Sequence, residues 1–296
     1  MRKACIDIGT NSALLLVAEK HEQNWSVLYD DAKIIRLGEG MKVSDGGARF
    51  LPEALERLDQ CLGDFCQSIS KYSPDEVNCY ATAAARKAEN KEDLLAIFSK
   101  HDLSLDIITG EKEAELTYLG ANFQTNIEDY SVIDIGGGST EILWKEENQL
   151  VGKSLPVGAV VLKESFFLAD TYQEAEIRLA KDYILKQLNT LPKTESIHRL
   201  IAVAGTPTTL VMCEKGLSQY EREKIHGAVL NQKDIEKWLQ KFNTTQEDRY
   251  KIVGLEAKRA DIIFAGTLIL LETMRYLNID TVLVSVGGLR YGGLLK

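Results

Sequence analysis

One short phrase of small and polar residues occurs twice in the chain. Residues 7–12 read Asp-Ile-Gly-Thr-Asn-Ser, and residues 134–139 read Asp-Ile-Gly-Gly-Gly-Ser. Each copy stands between two apolar runs, a pattern that predicts a strand, a tight turn and a second strand. Glycine lets main-chain N–H groups converge on an anion, and hydroxyl and amide side chains add neutral donors. One such turn is most often only a turn, but the repeat favours two phosphate-binding hairpins with these donors: Thr10, Asn11, Ser12, Gly136, Gly137, Gly138 and Ser139.

A third glycine turn, at Gly205 and Thr206, ends a predicted strand and begins a predicted helix. The first N–H groups of a helix have no partner within the helix and can receive an anion. An ordinary capped helix explains the same residues equally well when they are considered alone. Because they accompany two other turns, we assign both residues as phosphate-binding candidates.

Two helix starts in the first half of the chain carry charged side chains suited to act on a phosphate. Arg86 lies one turn into a helix, and its guanidinium can fork onto a phosphate; the alternative is a solvated surface arginine. Glu111, Glu113 and Glu115 begin another helix, where the helix dipole alone favours acids. A carboxylate that faces a phosphate at this position is also the natural general base for a water molecule.

The apolar pattern predicts the same order of elements in both halves of the chain. The order βββαβαβα is predicted from Lys3 and begins again at Tyr130, this time with helical insertions. Such alternation is typical of α/β sheets with helices packed on them. We predict a first domain at 1–124 and a second at 125–296, joined by a polar stretch near 124–129. The C-terminal helix is free to pack back on the first domain.

Composition limits the class of protein. The 296 residues carry a formal net charge of −9, which disfavours a nucleic-acid partner because such proteins need a basic face. No run approaches the roughly 20 apolar residues of a membrane span, so no membrane partner is expected. Five scattered cysteines without a Cys-x-x-Cys pair favour reduced thiols and a cytoplasmic location. The four histidines have no metal-ligand spacing.

Taken together, these motifs resemble the signatures of a known family, the exopolyphosphatase and guanosine pentaphosphate phosphohydrolase family. The matching segments occur in the family's order over essentially the whole chain, at 6–12, 81–86, 110–114, 133–141, 204–206, 226–227, 259–266 and 287–292. The resemblance implies an α/β fold of the actin, Hsp70 and sugar-kinase type, with two ribonuclease-H-like lobes around a central cleft. It also implies hydrolytic release of terminal phosphate from inorganic polyphosphate or guanosine pentaphosphate, with Mg²⁺ as the cofactor.

The same resemblance assigns roles to individual residues. Glu113 falls on the family's catalytic glutamate, and Arg86 falls on its phosphate-contacting arginine. Asp134, Gly136 and Glu141 fall on the second phosphate hairpin, whose acids serve metal binding and catalysis, so both acids are expected as Mg²⁺ ligands. Long members of the family carry further C-terminal helical domains, which do not follow the second lobe here. We therefore expect a short groove, and a homodimer remains open.

Three functions stay open from the sequence. The first is a phosphoanhydride hydrolase acting on polyphosphate or on a phosphorylated guanine nucleotide, and no guanine-recognition signature chooses between the two substrates. The second is a kinase of the same superfamily. The third is a non-catalytic sensor of guanosine tetra- or pentaphosphate, for which a base such as Glu113 would be superfluous. Two lobes of this kind are expected to close on substrate.

Overall fold

The chain divides into two compact units in the computed structural model, which describes residues 1–22, 24–41, 48–125 and 127–296. The first unit contains residues 1–120 and 289–296, and the second contains residues 121–288. The predicted first domain ended four residues later, at 124, and the predicted second domain ran to 296. Part of the predicted join, Asn126, lies outside the described residues. No helix in the described ranges is both long and apolar enough to cross a membrane.

A five-stranded mixed sheet forms the centre of the first unit. Its strands are β1 (Arg2–Ile8), β2 (Ser12–His21), β3 (Asn24–Ile34), β4 (Glu76–Ala81) and β5 (Leu105–Ile107), in the spatial order β3-β2-β1-β4-β5. Strand β2 runs antiparallel to both of its neighbours, β1 and β3, whereas β4 lies parallel to β1 and β5 lies parallel to β4. Parallel neighbours bring the carboxyl ends of β1 and β4 to the same edge of the sheet, where Ile8 is paired with Ala81.

One face of this sheet is covered by α1 (Pro52–Tyr72) and α3 (Lys91–Lys100). Apolar residues recur along α1 at the spacing of a single helical face, and its buried members are Ala54, Leu58, Cys61, Leu62 and Phe65. These side chains share one core with sheet residues such as Ile6 and Leu15 and with Phe98 of α3. The short α2 (Ala83–Lys87) follows β4 directly.

The remaining helices of the first unit are α4 (Gly110–Ala121), whose last residue falls just past the division, and α12 (Leu289–Leu295). Leu289 packs with Leu116 in a small apolar cluster. Arg290 and Tyr291 both bond the carboxylate of Asp30 on β3, the tyrosine hydroxyl at 2.6 Å. The arginine and aspartate side chains are only 11% and 10% exposed. This buried ion pair fixes the last helix in the first unit.

A six-stranded sheet forms the centre of the second unit, in the order β10-β11-β9-β6-β7-β8. Its strands are β6 (Ser131–Ile135), β7 (Thr140–Glu146), β8 (Gln149–Leu155), β9 (Leu200–Val203), β10 (Ala228–Asn231) and β11 (Thr281–Val284). The hairpin of β6 and β7 is antiparallel, and β9 lies parallel to β6. Strand β10 is an additional edge strand that the sequence pattern did not predict.

The helices of the second unit are α5 (Ala159–Phe166), α6 (Glu174–Leu188), α7 (Gly205–Lys215), α8 (Arg222–Ile225), α9 (Gln232–Phe242), α10 (Gln246–Arg249) and α11 (Ile263–Tyr276). Helix α11 is buried from Ile263 to Met274 and is therefore the central helix of this unit. The apolar pattern over 257–277 predicts one continuous helix, and this prediction is wrong at its start. A 3₁₀ turn, Ala257–Arg259, precedes α11 and is separated from it by a short break.

Candidate active site

The two repeated phrases form turns with the same hydrogen bond. In each turn the N–H of the first glycine donates to the serine carbonyl three residues later, from Gly9 to Ser12 and from Gly136 to Ser139, both at 2.9 Å. The flanking strands pair antiparallel in both hairpins. The predicted strand, turn and strand are therefore confirmed twice, once in each unit.

The second turn is held from one side by the start of α5. The carbonyl of Gly136 accepts from the N–H of Ala159 at 2.9 Å, and the carbonyl of Gly137 accepts from the next N–H of the helix at 3.0 Å. Gly158 lies so close that a Cβ there would stand 2.3 Å from the carbonyl oxygen of Gly137. Because C=O and N–H of a trans peptide point in opposite directions, the N–H groups of Gly137 and Gly138 point away from α5. That is the orientation an anion-binding turn requires.

The loop after β3 holds the first turn in a similar way. The carbonyl of Asn11 accepts from the N–H groups of Ile35 at 3.0 Å and Arg36 at 2.8 Å, and the carbonyl of Thr10 accepts from Gly38 at 2.8 Å. The peptide N–H of Asn11 therefore points away from this loop. Both turns have their carbonyls occupied by protein donors, which fixes the direction of the N–H groups between them.

Two carboxylates stand side by side on the second hairpin. Asp134 and Glu141 are direct partners in the pairing of β6 with β7, so their side chains emerge on the same face of the sheet. The hydroxyl of Ser154 on β8 donates to Glu141 Oε1 at 2.7 Å. In the first hairpin the equivalent partner of Asp7 is Leu14. The pair of acids is thus a property of the second hairpin alone.

The donor chemistry of Asp134 and Glu141 fits Mg²⁺. This ion prefers oxygen ligands and is usually held by one or two carboxylates, with water and substrate phosphates completing its octahedron. Across the described residues, no group of three or more His, Cys, Asp and Glu side chains is arranged to hold a metal. The described residues therefore contain no site in which protein side chains alone surround a metal ion. The pair of carboxylates matches a site that water and substrate phosphates complete.

In the first unit, Arg86 and Glu113 are in direct contact. Arg86 Nη1 donates to Glu113 Oε2 at 2.7 Å and to the carbonyl of Ile108 at 3.0 Å. Arg86 comes from α2 and Glu113 from the first turn of α4, so two separate strand-to-helix connections bring them together. Arg86 is thus partly exposed, at 32% of its side chain, but it is also anchored by a carbonyl and paired with an acid.

A third acid of the first unit lies within electrostatic range of this pair. The pKa of Asp7 is raised to about 7, mainly by burial and also by the negative charge of Glu113, whereas Arg290 opposes the shift. Sequence reasoning missed Arg290 as a neighbour of the site, although it lies in a Gly-Gly-Leu-Arg segment that marks a strand end. Arg290 is far from Asp7 and Glu113 along the chain, so local sequence patterns did not place it in the first unit.

The other two acids of α4 have partners of their own. Glu115 is paired with Lys296 at 2.5 Å and with Lys112 at 2.9 Å. The pKa of Glu111 is lowered by its hydrogen bonds to the backbone and to the Thr109 hydroxyl. Of the three acids, Glu113 is therefore the one that contacts Arg86.

The third glycine turn begins α7 and is covered by an arginine. A Cβ on Gly205 would lie 1.7 Å from Nη1 of Arg259, so glycine is required for the guanidinium to lie over this turn. Ala204, just before it, has a φ of 72°, which is uncommon for a residue with a Cβ. The hydroxyl of Thr206 is directed toward Gly266, and Thr206 is 7% exposed. Arg259 is thus a further cation that sequence reasoning did not assign to this turn.

The chain belongs to the Ppx/GppA phosphatase family, whose model matches residues 16–296. It is 36% identical to a bifunctional 3-dehydroquinate synthase/phosphatase of Fusobacterium nucleatum over 99% of its length, and it spans 46% of that larger protein. It is 30% identical to Exopolyphosphatase 2 of Mycobacterium tuberculosis, covering 94% of the chain and 91% of the relative.

Solved structures lead to the same family. The PPX-GPPA enzyme of Aquifex aeolicus is 33% identical, with a TM-score of 0.85 and coverage of 100% of this chain and 99% of that one. An exopolyphosphatase from Cytophaga hutchinsonii is 25% identical, with a TM-score of 0.88 and coverage of 100% and 97%. The fold is therefore the actin-like α/β fold with two lobes, as the sequence predicted.

Proposed function

We propose that the chain is an exopolyphosphatase, which hydrolyses the terminal phosphoanhydride bond of inorganic polyphosphate and releases orthophosphate. The observation that carries this proposal is the contact between Arg86 and Glu113, because it joins the candidate phosphate-binding cation to the candidate general base. Support comes also from Mycobacterium tuberculosis relatives called Exopolyphosphatase 1 and 2, which align over 100% and 94% of the chain.

In the proposed reaction, Glu113 accepts a proton from a water molecule as the water oxygen bonds to the terminal phosphorus. The bond from that phosphorus to the bridging oxygen breaks, and the shortened polyphosphate leaves with the bonding electrons. Arg86 and the N–H groups of the glycine turns donate hydrogen bonds to phosphate oxygens. Phosphoryl transfer depends mostly on positioning and charge stabilisation, and several fixed donors are suited to both tasks.

Asp134 and Glu141 would hold Mg²⁺ in this proposal. A bound Mg²⁺ would neutralise the charge on phosphate oxygens and orient the terminal group. The carboxylates themselves orient the ion, and Ser154 restrains Glu141 through its hydrogen bond at 2.7 Å. The matching position in the first hairpin is Leu14, which is why the ion is assigned to the second hairpin.

A phosphate-release assay tests the proposed activity. Purified chain is incubated with polyphosphate of fixed length and Mg²⁺ and without any phosphate acceptor, and orthophosphate is measured over time. We expect steady release that stops in EDTA and returns when Mg²⁺ is added. Matched Glu113→Gln and Asp134→Asn variants should both be strongly impaired. No release from polyphosphate under these conditions would refute the proposal.

Related measurements distinguish the alternative substrates and activities. Release from guanosine pentaphosphate with a higher kcat/KM than from polyphosphate would make the nucleotide the preferred substrate. ATP-dependent transfer to a small molecule, without release from polyphosphate, would indicate a kinase. Tight binding of guanosine tetra- or pentaphosphate without turnover would indicate a sensor. Comparing kcat/KM over chain lengths tests the expected short groove, since a steep rise with length would contradict it.

We propose that the reaction takes place in the cytoplasm. All five cysteines are free thiols, four of them buried, which fits a reducing compartment. The proposed partners are polyphosphate or a phosphorylated guanine nucleotide, with neither nucleic acid nor membrane. Whether the chain forms a homodimer is a separate question that sedimentation velocity answers directly.

A further inference from the structure

The chain passes between its two units twice, at residues 120–121 and at residues 288–289. Just inside the second unit, the first passage continues as residues 121–125, which we call the entry segment. The second passage is preceded by residues 284–288, the exit segment. The two segments are far apart in sequence, yet the same short element of the second unit contacts both.

Arg222, the first residue of α8, contacts the entry segment. Its guanidinium carbon lies 5.9 Å from the centroid of the Phe123 ring, within the range of a cation–π contact. Its Nη2 donates to Gln124 Oε1 at 3.1 Å. The backbone of Gln124 has a φ of 61°, a left-handed conformation that needs support from its surroundings. Arg222 therefore restrains two successive residues of the entry segment.

His226, which follows the last residue of α8, contacts the exit segment. Its Nδ1 accepts from the N–H of Val286 at 3.4 Å and lies 3.3 Å from the hydroxyl oxygen of Ser285. The same hydroxyl oxygen accepts from the N–H of Gly287 at 3.0 Å. Gly227, next in the chain, donates its N–H to the carbonyl of Val284 at 2.9 Å. The exit segment is thus bonded at successive residues to His226 and its neighbour.

Arg222 and His226 belong to the same short helical turn, since they are the first residue of α8 and the residue that follows the helix. The N–H of His226 donates to the carbonyl of Arg222 at 2.8 Å, which fixes the separation of the two side chains. Burial and the charge of Arg222 lower the pKa of His226, which keeps the ring neutral and Nδ1 able to accept hydrogen bonds. The backbone of Phe123 lies near enough to the imidazole to oppose this shift slightly, so the ring also has a neighbour in the entry segment.

We propose that Arg222 and His226 form a clamp that couples the entry and exit segments, so that displacement of one segment is transmitted to the other. Without a link, each passage could be displaced independently of the other. A clamp on both segments makes them move together. This device concerns the connections and does not depend on which phosphate compound the chain hydrolyses.

Hydrogen–deuterium exchange of the full chain tests the coupling. His226→Ala removes the acceptor of Val286, and we expect exchange at 284–288 to rise by about fivefold, the effect of one net hydrogen bond. The informative signal lies at the other segment: exchange at 121–125 should also rise. Conversely, Arg222→Gln removes the guanidinium contacts with Phe123 and Gln124 in the entry segment, and it should raise exchange at 284–288 as well.

Two matched variants serve as controls. His226→Asn keeps an acceptor near the position of Nδ1 and should restore much of the protection at both segments. His198→Ala removes an exposed histidine of the same unit and should leave both segments unchanged. Peptides covering 131–143 report folding, because the hairpin there should exchange equally in all variants. An effect of each variant confined to its own segment, or no effect at either, would overturn the proposed clamp.

Discussion

Replacement of Glu113 by glutamine isolates the proposed general base. The substitution preserves the shape of the side chain and removes the proton acceptor. We expect kcat for phosphate release to fall by roughly 10²–10⁴-fold, the usual effect of losing a general base. The remaining acceleration comes from positioning and charge stabilisation, which the glycine turns and the carboxylate pair of the second hairpin retain. Substrate binding should change little, because glutamine keeps the shape of the side chain and only removes a negative charge near the phosphates.

The structure separates this loss of activity from a loss of stability. The side chains of Arg86 and Glu113 are 32% and 30% exposed, and ion pairs of this exposure contribute at most about 1 kcal/mol. Arg86 also keeps its bond to the carbonyl of Ile108 at 3.0 Å when the acid is replaced. The free energy of unfolding of Glu113→Gln should therefore remain within about 1 kcal/mol of the parent chain, which urea titration measures.

Single-turnover phosphate release from polyphosphate of fixed length is the decisive assay. Glu111→Gln and Glu115→Gln are the matched controls, because the same chemical change is made at acids that bond other partners in the same helix. Both should keep near-normal rates. The assignment of the base would be wrong if Glu113→Gln remained active while Glu111→Gln or Asp134→Asn abolished release.

Three further outcomes are expected. Gly158→Ala should lower the free energy of unfolding by about 1–3 kcal/mol in urea titration and weaken activity, since its Cβ would overlap the second turn. The control Gly110→Ala has open space around it and should not overlap any neighbour. Equal losses of stability in the two variants would contradict the close contact at Gly158. Asp7 has a raised pKa of about 7, so its ionisation lowers the stability of the parent chain as pH rises from about 4 to 7. In metal-free buffer, the Tm of Asp7→Asn relative to that of the parent should therefore increase over this range. A difference in Tm that stays constant with pH would refute the raised pKa. The Glu272 side chain is buried, at 8% exposure, and pairs with Arg275, so Glu272→Gln should destabilise by about 1–3 kcal/mol. Glu236, at 49% exposure, pairs with the same arginine, and Glu236→Gln should cost less than about 1 kcal/mol. Thermal unfolding that ranks the two variants in reverse would contradict this difference.

Local patterns were sufficient to predict the two hairpins and their place between strands. Short-range periodicity and turn chemistry dictate such elements, and the hydrogen bond from Gly136 to Ser139 needs only four residues. The side-by-side placement of Asp134 and Glu141 also follows once the turn length fixes the strand register. These parts of the site depend on residues that are close in sequence.

Contacts between distant segments were not predictable in the same way. Arg86 and Glu113 are 27 residues apart, and their contact depends on how β4 and β5 lie beside each other. Arg259 covers Gly205 across more than fifty residues, with no local signal for the approach. The edge strand β10 has only four residues, too few for an apolar alternation to distinguish it from a loop.

The return of α12 to the first unit has a consequence for synthesis on the ribosome. Residues 1–120 emerge early, but Arg290 and Tyr291, which bond Asp30, emerge only after the whole second unit. Until then the carboxylate of Asp30 lacks these buried partners, and the apolar surface around Leu116 lacks Leu289. Domains usually fold in order as they leave the ribosome. Here the N-terminal unit can complete its packing only after the C-terminal unit has been made, so the order of completion is reversed.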